Sequence, residues 1–486
     1  MIQKTLILLL ILGFSANTIA QNILSEQNYG GANSDRLTAT VQTPDGGLLF
    51  GGNSNSNGSG DVSSSNGGFD WWVARTDIAG NILWERSYGG SANEFLNYIV
   101  KTSDGGFLLA GYTASADGDV SNNYGNNDAW VVKIAANGNI QWEKNYGGTN
   151  ADIFTTILPT ADGGYLFSGN SSSTTGDVSG NNGSDDAWIV KTDATGNIQW
   201  TQNYGGSNVD SFSETVQTAD GGYLLGGTTY SSDGDVSSLH GFADYWVVKT
   251  DATGNLQWEQ NYGGSLADNL RAIVALSNGT FLIGGDAESS DSDVTDNHGS
   301  SDYWIANIDA TGNILWAKSY GANQYDVLYD IVIAPDGGFL LGGQVSPASG
   351  GDISSNYGSS DAWVVKIDAT GNIIWEQSYG GSDQDQTRIL VPALGGGYIL
   401  GNSSQSTNND VTSGNNGGRD YWLVKIDDAT APTLCTAKTQ VTAETGDAYI
   451  DDSCYGVILT SPNGSCFRVR VQDDGTLKSE AIVCPQ

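Results

Sequence analysis

The stretch DAWIVKTDATGNIQWTQNYGG, Asp186 to Gly206, decides the fold. It holds a run of β-branched and aromatic residues, a turn built on Asp, Gly and Asn, and a second strand-like run ending in Tyr-Gly-Gly, which is the signature of a tight hairpin. The Tyr-Gly step recurs at Tyr29, Tyr88, Tyr146, Tyr204, Tyr262, Tyr320 and Tyr379, always 58 or 59 residues apart. Each period carries four strand-like runs, which in the first are Leu37 to Gln42, Leu48 to Gly52, Trp71 to Thr76 and Ile82 to Tyr88, denoted a, b, c and d. The a–b turn is Asp-Gly-Gly at Asp45, Asp104, Asp162, Asp220 and Asp336, with Asn278-Gly279 and Gly395-Gly396 in the remaining two. The c–d turn reads Asp-Ala-Thr-Gly-Asn at Asp193, Asp251, Asp309 and Asp368. Gly and Asn reach the positive φ such turns require.

A four-stranded antiparallel sheet of this length cannot bury both faces alone, so the copies must stack radially: an all-β, seven-bladed β-propeller. The ends predict how the ring closes. The last repeat stops after strand c, Tyr421 to Ile426, and the missing strand d lies at the other terminus, where Asn22 to Tyr29 matches Asn81 to Tyr88. Pairing the two removes two exposed edges.

Residues 1–20 read as a signal peptide, with Lys4, the apolar run Leu6 to Phe14 and small residues at Thr18 to Ala20, so the mature chain begins at Gln21. No later run reaches the roughly 20 apolar residues of a spanning helix. The expected location is therefore secreted: extracellular, at the cell surface or periplasmic. With 55 acidic against 19 basic residues and a net charge of −36, the chain repels phosphate backbones and nucleic acid is excluded as a partner. The propeller spans 21–430. A small C-terminal β domain, 431–486, follows, carrying all four cysteines: Cys435, Cys454, Cys466 and Cys484. Export predicts two disulfides, with three pairings open; a zinc site is the other reading, but no C-x-x-C pair is present. Tail strands are read at Tyr449 to Ile450, Val457 to Thr460, Phe467 to Val471 and Thr476 to Val483, around a Pro462-Asn463-Gly464 turn.

Strand c carries Asp-x-Trp in every repeat, at Trp72, Trp130, Trp188, Trp246, Trp304, Trp363 and Trp422; strand d carries Trp84, Trp142, Trp200, Trp258, Trp316 and Trp375. Both series are expected to fill the wedges between blades. An exposed row stacking sugar rings is the alternative. The phrase Asp193 to Trp200, with its variants at Asp251 to Trp258 and Asp309 to Trp316, resembles the tryptophan-docking motif of quinoprotein-type propellers. The whole repeat looks like secreted propeller repeats common in Bacteroidota. The resemblance covers Gln21 to about Thr430 and implies the blade packing. It departs from the quinoprotein enzymes in a shorter docking turn, seven blades instead of eight and no vicinal cysteine pair, so none of their catalytic residues is carried over.

Carboxylates fall in register on the face formed by the d–a and b–c connections. Six residues after each repeat Tyr comes an acid, and Asp35, Glu94, Asp152, Asp210, Asp268, Asp326 and Asp385 are expected to form an acidic ring at the channel mouth. The b–c loops add Asp61, Asp119, Asp177, Asp235, Asp293, Asp352 and Asp410, then Asp70, Asp128, Asp186, Asp244, Asp302, Asp361 and Asp420, with Asp117, Asp233 and Asp291 two residues ahead of their loop partners. Calcium is the candidate ion, because it takes several carboxylate and carbonyl oxygens from flexible loops. The competing reading is that each Asp accepts backbone N–H bonds and fixes its loop. No complete D-x-D-x-D-G loop and no Ser-His-Asp or Cys-His pattern occurs, and His240 and His298 stand alone in their loops. The blades read as close to equivalent, with divergence in two a–b turns, Leu276 to Thr280 and Leu394 to Gly397. These features predict a monomeric, non-catalytic binding or scaffold propeller, contacting an extracellular protein or glycan through its acidic face with assistance from calcium. The alternative is a secreted enzyme, quinoprotein-like or carbohydrate-active.

Overall fold

A computed structural model describes residues 22–347 and 350–428, together with the backbone of three strands in the tail. The chain divides into two units, 1–427 and 428–486. In the first, seven four-stranded antiparallel sheets follow one another, each in the order a-b-c-d. Blade 1 comprises Asp35–Gln42, Leu48–Ser54, Asp70–Thr76 and Ile82–Tyr88. The innermost strands of blades 2 to 7 are Glu94–Lys101, Asp152–Pro159, Asp210–Gln217, Asp268–Ala275, Asp326–Ile333 and Asp385–Pro392. Blade 7 takes its fourth strand from the N-terminal segment: Ile23–Tyr29 pairs antiparallel with Asp420–Ile426, with Tyr29 opposite Tyr421 and Asn28 opposite Trp422.

The repeat dictates the packing. Strand c sits between two neighbouring sheets and is apolar along nearly its whole length, as Trp188-Ile189-Val190 and Trp246-Val247-Val248 illustrate, all fully buried. The strand-c tryptophans are all enclosed. Several take the ring of the preceding blade's neighbouring residue: Trp130 against Trp71 at 4.3 Å between centroids, Trp304 against Tyr245 at 4.8 Å, Trp363 against Tyr303 at 4.7 Å. The same contact spans the closure, where Tyr421 meets Trp72 at 5.0 Å and donates its hydroxyl hydrogen to the Trp72 carbonyl at 3.2 Å.

The strand-d tryptophans are mostly half-buried and lie on the c–d turn of the next blade. Gly196 in blade 3 has φ of 75° and faces Trp142 of blade 2, where a β-carbon would come 3.0 Å from the ring. A positive φ and a close approach coincide, which leaves glycine as the fitting residue. This packing places these rings between blades and does not form an open stacking row.

The buried lysines of strand c close a second link. Lys133, Lys191, Lys249 and Lys366 reach back to Asp104, Asp162, Asp220 and Asp336 of their own a–b turns at 2.8 to 2.9 Å. Asp-Gly-Gly is thus both the turn and the counter-ion of a buried ammonium.

In the tail unit, Val457–Thr460, Cys466–Val471 and Leu477–Ile482 form a three-stranded antiparallel sheet. The signal peptide, the strand at Tyr449 to Ile450, the turn at Pro462 to Gly464 and cysteines 435, 454 and 484, and with them the disulfides, lie outside the described residues.

Candidate functional site

The acids expected at the channel mouth are not an exposed ring. Asp35, Glu94, Asp152, Asp210, Asp268, Asp326 and Asp385 are all fully buried. Each accepts the N–H four residues earlier, from Gly31, Gly90, Gly148, Gly206, Gly264, Ala322 or Gly381, at 2.7 to 2.9 Å. Hydroxyls of strand b and its loop add to them, for example Ser173 to Asp152 at 2.8 Å and Ser231 to Asp210 at 2.8 Å. These carboxylates hold the d–a loop against strand b.

The b–c loop acids have the same occupation. Asp61, Asp119, Asp177, Asp235, Asp293, Asp352 and Asp410 accept the N–H of the repeat's Tyr-Gly glycine, at 3.1 to 3.3 Å. Asp117, Asp233 and Asp291 accept the N–H of Ser91, Ser207 and Ser265 at 2.7 to 2.8 Å. Asp70, Asp128, Asp186, Asp244, Asp302, Asp361 and Asp420 accept the N–H four residues earlier through Oδ2. Their Oδ1 atoms are buried without a protein partner. Burial pushes Asp70, Asp128, Asp186 and Asp244 up to about 6 and Asp361 and Asp420 up to about 7. Among the described residues no three His, Cys, Asp or Glu side chains converge to hold a metal ion. His240 and His298 are half-exposed and rest against Asp244 and Asp302 of their own blades, at 3.3 and 2.9 Å.

What the sequence reading missed lies in the channel. All seven innermost strands carry a β-bulge at the same place, and the extra residue is Thr38, Asn97, Thr155, Ser213, Arg271, Tyr329 or Arg388 in blades 1 to 7. A bulge frees one residue from the ladder and re-aims its side chain. All seven line one cavity of about 600 Å³. The blades, repeated in their wedges, are therefore unlike one another where they meet the channel. The signal available in the sequence was the column three residues after each strand-a acid, which differs from blade to blade, as does the position that follows it.

One arc of this wall is knitted together. Asn97 donates to the Phe154 carbonyl and Thr155 to the Phe212 carbonyl, both at 2.7 Å, tying blades 2, 3 and 4. Glu214 accepts from Thr156 at 3.1 Å; away from this arc, in blades 6 and 7, Asp330 accepts the Leu390 N–H at 2.7 Å. Burial pushes Glu214 up to about 7, and the charge of Asp330 adds to this; burial alone pushes Asp330 up to about 6.

The other arc is cationic. The Arg388 guanidinium lies 4.1 Å from the centroid of Tyr329, and that of Arg271, paired with Asp286 at 3.0 Å, lies 5.8 Å from the same ring. Arg36, Arg388 and Arg419 line an adjoining cavity of about 260 Å³ with Tyr329, Gln344, Gln384 and Gln386. Arg419 donates to Gln384 at 3.0 Å. Burial and the neighbouring Arg36 charge both hold the Arg419 guanidinium below its usual range.

No family model matches the chain. Regulatory protein FlaEY of Caulobacter vibrioides is 26% identical over 132 residues, 26% of this chain and 14% of that protein, so the match spans a small part of either. A Bacteroides caccae protein of unknown function is similar in structure at a TM-score of 0.35 and 13% identity, covering 65% of this chain and 92% of that one. The PQQ-bound aldose sugar dehydrogenase of Streptomyces coelicolor gives a TM-score of 0.34 at 11% identity, over 84% and 98% of the two chains. At these values the likeness says nothing of chemistry or partner.

Proposed function

We propose that this chain is a secreted, non-catalytic binding propeller, and that its extracellular ligand, a glycan, is received at the central channel. One observation carries the reading: seven wedges built alike surround seven bulge residues that differ, with Arg271, Tyr329 and Arg388 side by side. A pure scaffold has no need to vary the positions that its fold aims inward. The acids read as a contact face accept backbone N–H bonds, and those that open strands a and c are fully buried, which favours the channel over the loops as the binding surface. The apolar N-terminal run and the cysteine-bearing tail support export. The test is a glycan array probed with the full chain. Binding that Tyr329→Ala removes and that Phe242→Ser, in the exposed b–c loop of blade 4 and outside the channel lining, leaves intact is expected; binding insensitive to Tyr329→Ala refutes the channel as the site.

A second reading, a carbohydrate-active enzyme, is favoured by Glu214 and Asp330, two carboxyls in one channel with raised proton affinity. Release of reducing ends from a bound glycan, lost in Glu214→Gln, would establish it. Against it, both Asp330 oxygens are engaged by backbone N–H groups, of Ile331 and Leu390.

A further inference from the structure

In a chain carrying 55 acidic and 19 basic residues, six of the fourteen described Lys and Arg side chains pair with carboxylates. The buried lysines of strand c do so, as do Arg75 and Arg271. Arg36, Arg388 and Arg419 do not: none forms an ion pair among the described residues, although acids abound on the same face. They come from different parts of the chain, Arg36 from the first blade and Arg388 and Arg419 from the strand a and b–c loop of the last, and meet at the cavity beside Tyr329. The Nε atoms of Arg388 and Arg419 are buried and unpartnered among the described residues.

Like charges gathered in a half-buried cavity repel one another, and a buried guanidinium donor without an acceptor is unfavourable. Both terms reverse when an oxyanion enters, because guanidinium forks match carboxylate and sulfate geometry and bind them by charge-assisted bonds. Apart from Asp385, a buried carboxyl that accepts the Gly381 N–H and the Ser406 hydroxyl, the rest of the lining is neutral and hydrogen-bonding. Gln344, Gln384, Gln386 and Ser360 offer amide and hydroxyl groups suited to sugar hydroxyls, and the cavity of about 260 Å³ adjoins the larger channel through Tyr329 and Arg388, which line both.

We propose that the cavity bounded by Arg36, Arg388 and Arg419 is an oxyanion pocket, and that the glycan received at the channel is an acidic saccharide, held by a carboxylate or sulfate on its ring. The inference rests on the channel reading above and adds the charge of the ligand. The surrounding negative charge of the protein makes such a pocket selective: an acidic glycan is repelled elsewhere and gains only where the three guanidiniums stand.

The test is isothermal titration of the full mature chain with three probes of equal length: an oligogalacturonate, a sulfated galactan oligosaccharide that carries no uronic acid, and a neutral cello-oligosaccharide. At least tenfold tighter binding of one charged probe than of the neutral one is expected, weakening with added salt. The charged probe that binds tells carboxylate from sulfate. Arg388→Gln with Arg419→Gln should remove the preference; Arg36→Gln, whose side chain is exposed, serves as the variant least able to disturb folding and should weaken it several-fold. Equal binding of neutral and charged probes, or a preference untouched by all three substitutions, overturns the oxyanion pocket and leaves the channel reading standing. Absence of binding by every probe at millimolar concentration overturns both.

Discussion

The hydroxyl of Tyr88 donates to the carbonyl of Gly138 at 2.6 Å, across the boundary between blades 1 and 2. The repeat reproduces this bond at Tyr29, Tyr146, Tyr204, Tyr262 and Tyr320, each reaching the c–d turn glycine of the following blade. Tyr379 breaks the series: its hydroxyl is buried and has no partner among the described residues. The reason is the closure. Blade 7 takes strand d from the N-terminus, so it has no c–d turn and no glycine carbonyl to offer.

This asymmetry predicts opposite outcomes for one substitution. Tyr146→Phe should destabilise the propeller by about 1 kcal/mol, because a buried carbonyl loses its donor, whereas Tyr379→Phe should be neutral or stabilising, because it removes an unsatisfied hydroxyl. Urea unfolding of both variants beside the parent decides it; equal losses would refute the assignment.

The strand-c indoles supply a second prediction. Trp72, Trp130, Trp246 and Trp363 donate to Glu85, Glu143, Glu259 and Glu376 of strand d at 2.8 to 3.0 Å, and Trp422 donates to Glu26 of the closing strand at 2.9 Å. In blade 3 the position is Thr201, and the Trp188 indole N–H is buried without a partner. Thr201→Glu should supply the missing acceptor and raise stability by about 1.5 to 3 kcal/mol, the range for bonds to a charged group. A lower melting temperature than the parent would contradict it.

Ring closure is tested by removing the strand that performs it. Deleting residues 22–29 exposes the edge of strand c in blade 7, removes the Glu26 acceptor of Trp422 and leaves Gly80 without Tyr29. The truncated protein should melt lower and tend to associate through its open edge. A synthetic peptide of the deleted sequence should restore the parent melting temperature by occupying that edge. Failure of the truncation to change either property would mean that the ring does not depend on the strand.

Stability should rise on mild acidification. Asp70, Asp128, Asp186 and Asp244 are pushed up to about 6, and Asp326, Asp361, Asp420 and Glu214 up to about 7, by burial. A carboxyl with a folded pKa above its unfolded value of about 4 stabilises fully below that unfolded value, and the contribution is lost as pH rises through the folded one. The melting temperature should therefore climb between pH 8 and pH 5. Asp162, held at about 2 chiefly by its bond to Lys191, works in the opposite sense and is lost only below about pH 4. Running the series in 0.5 M salt separates the buried groups from the long-range repulsion of the −36 charge, which salt screens. A flat profile in high salt would refute the buried contribution.

Much of the fold was legible in the chain. The 58-residue period, the two turn types and the strand missing from one end and present at the other required seven closed blades, because such features are local in sequence or repeat at a fixed interval. The loop acids were legible as positions, and the reading of them as acceptors of backbone N–H bonds holds; what was not legible is that Asp35 or Asp152 would be fully enclosed. The channel was not legible. A bulge is a mismatch between two paired strands, so the residue it turns inward is defined only once strand a has met strand b.

The sequence alone determined the architecture of this protein, since turn chemistry and apolar periodicity act within a repeat and every repeat obeys them. The tertiary structure decided where it can act. Arg36, Arg388 and Arg419 lie up to 383 residues apart in the sequence and become neighbours only because the ring closes, bringing the last blade against the first.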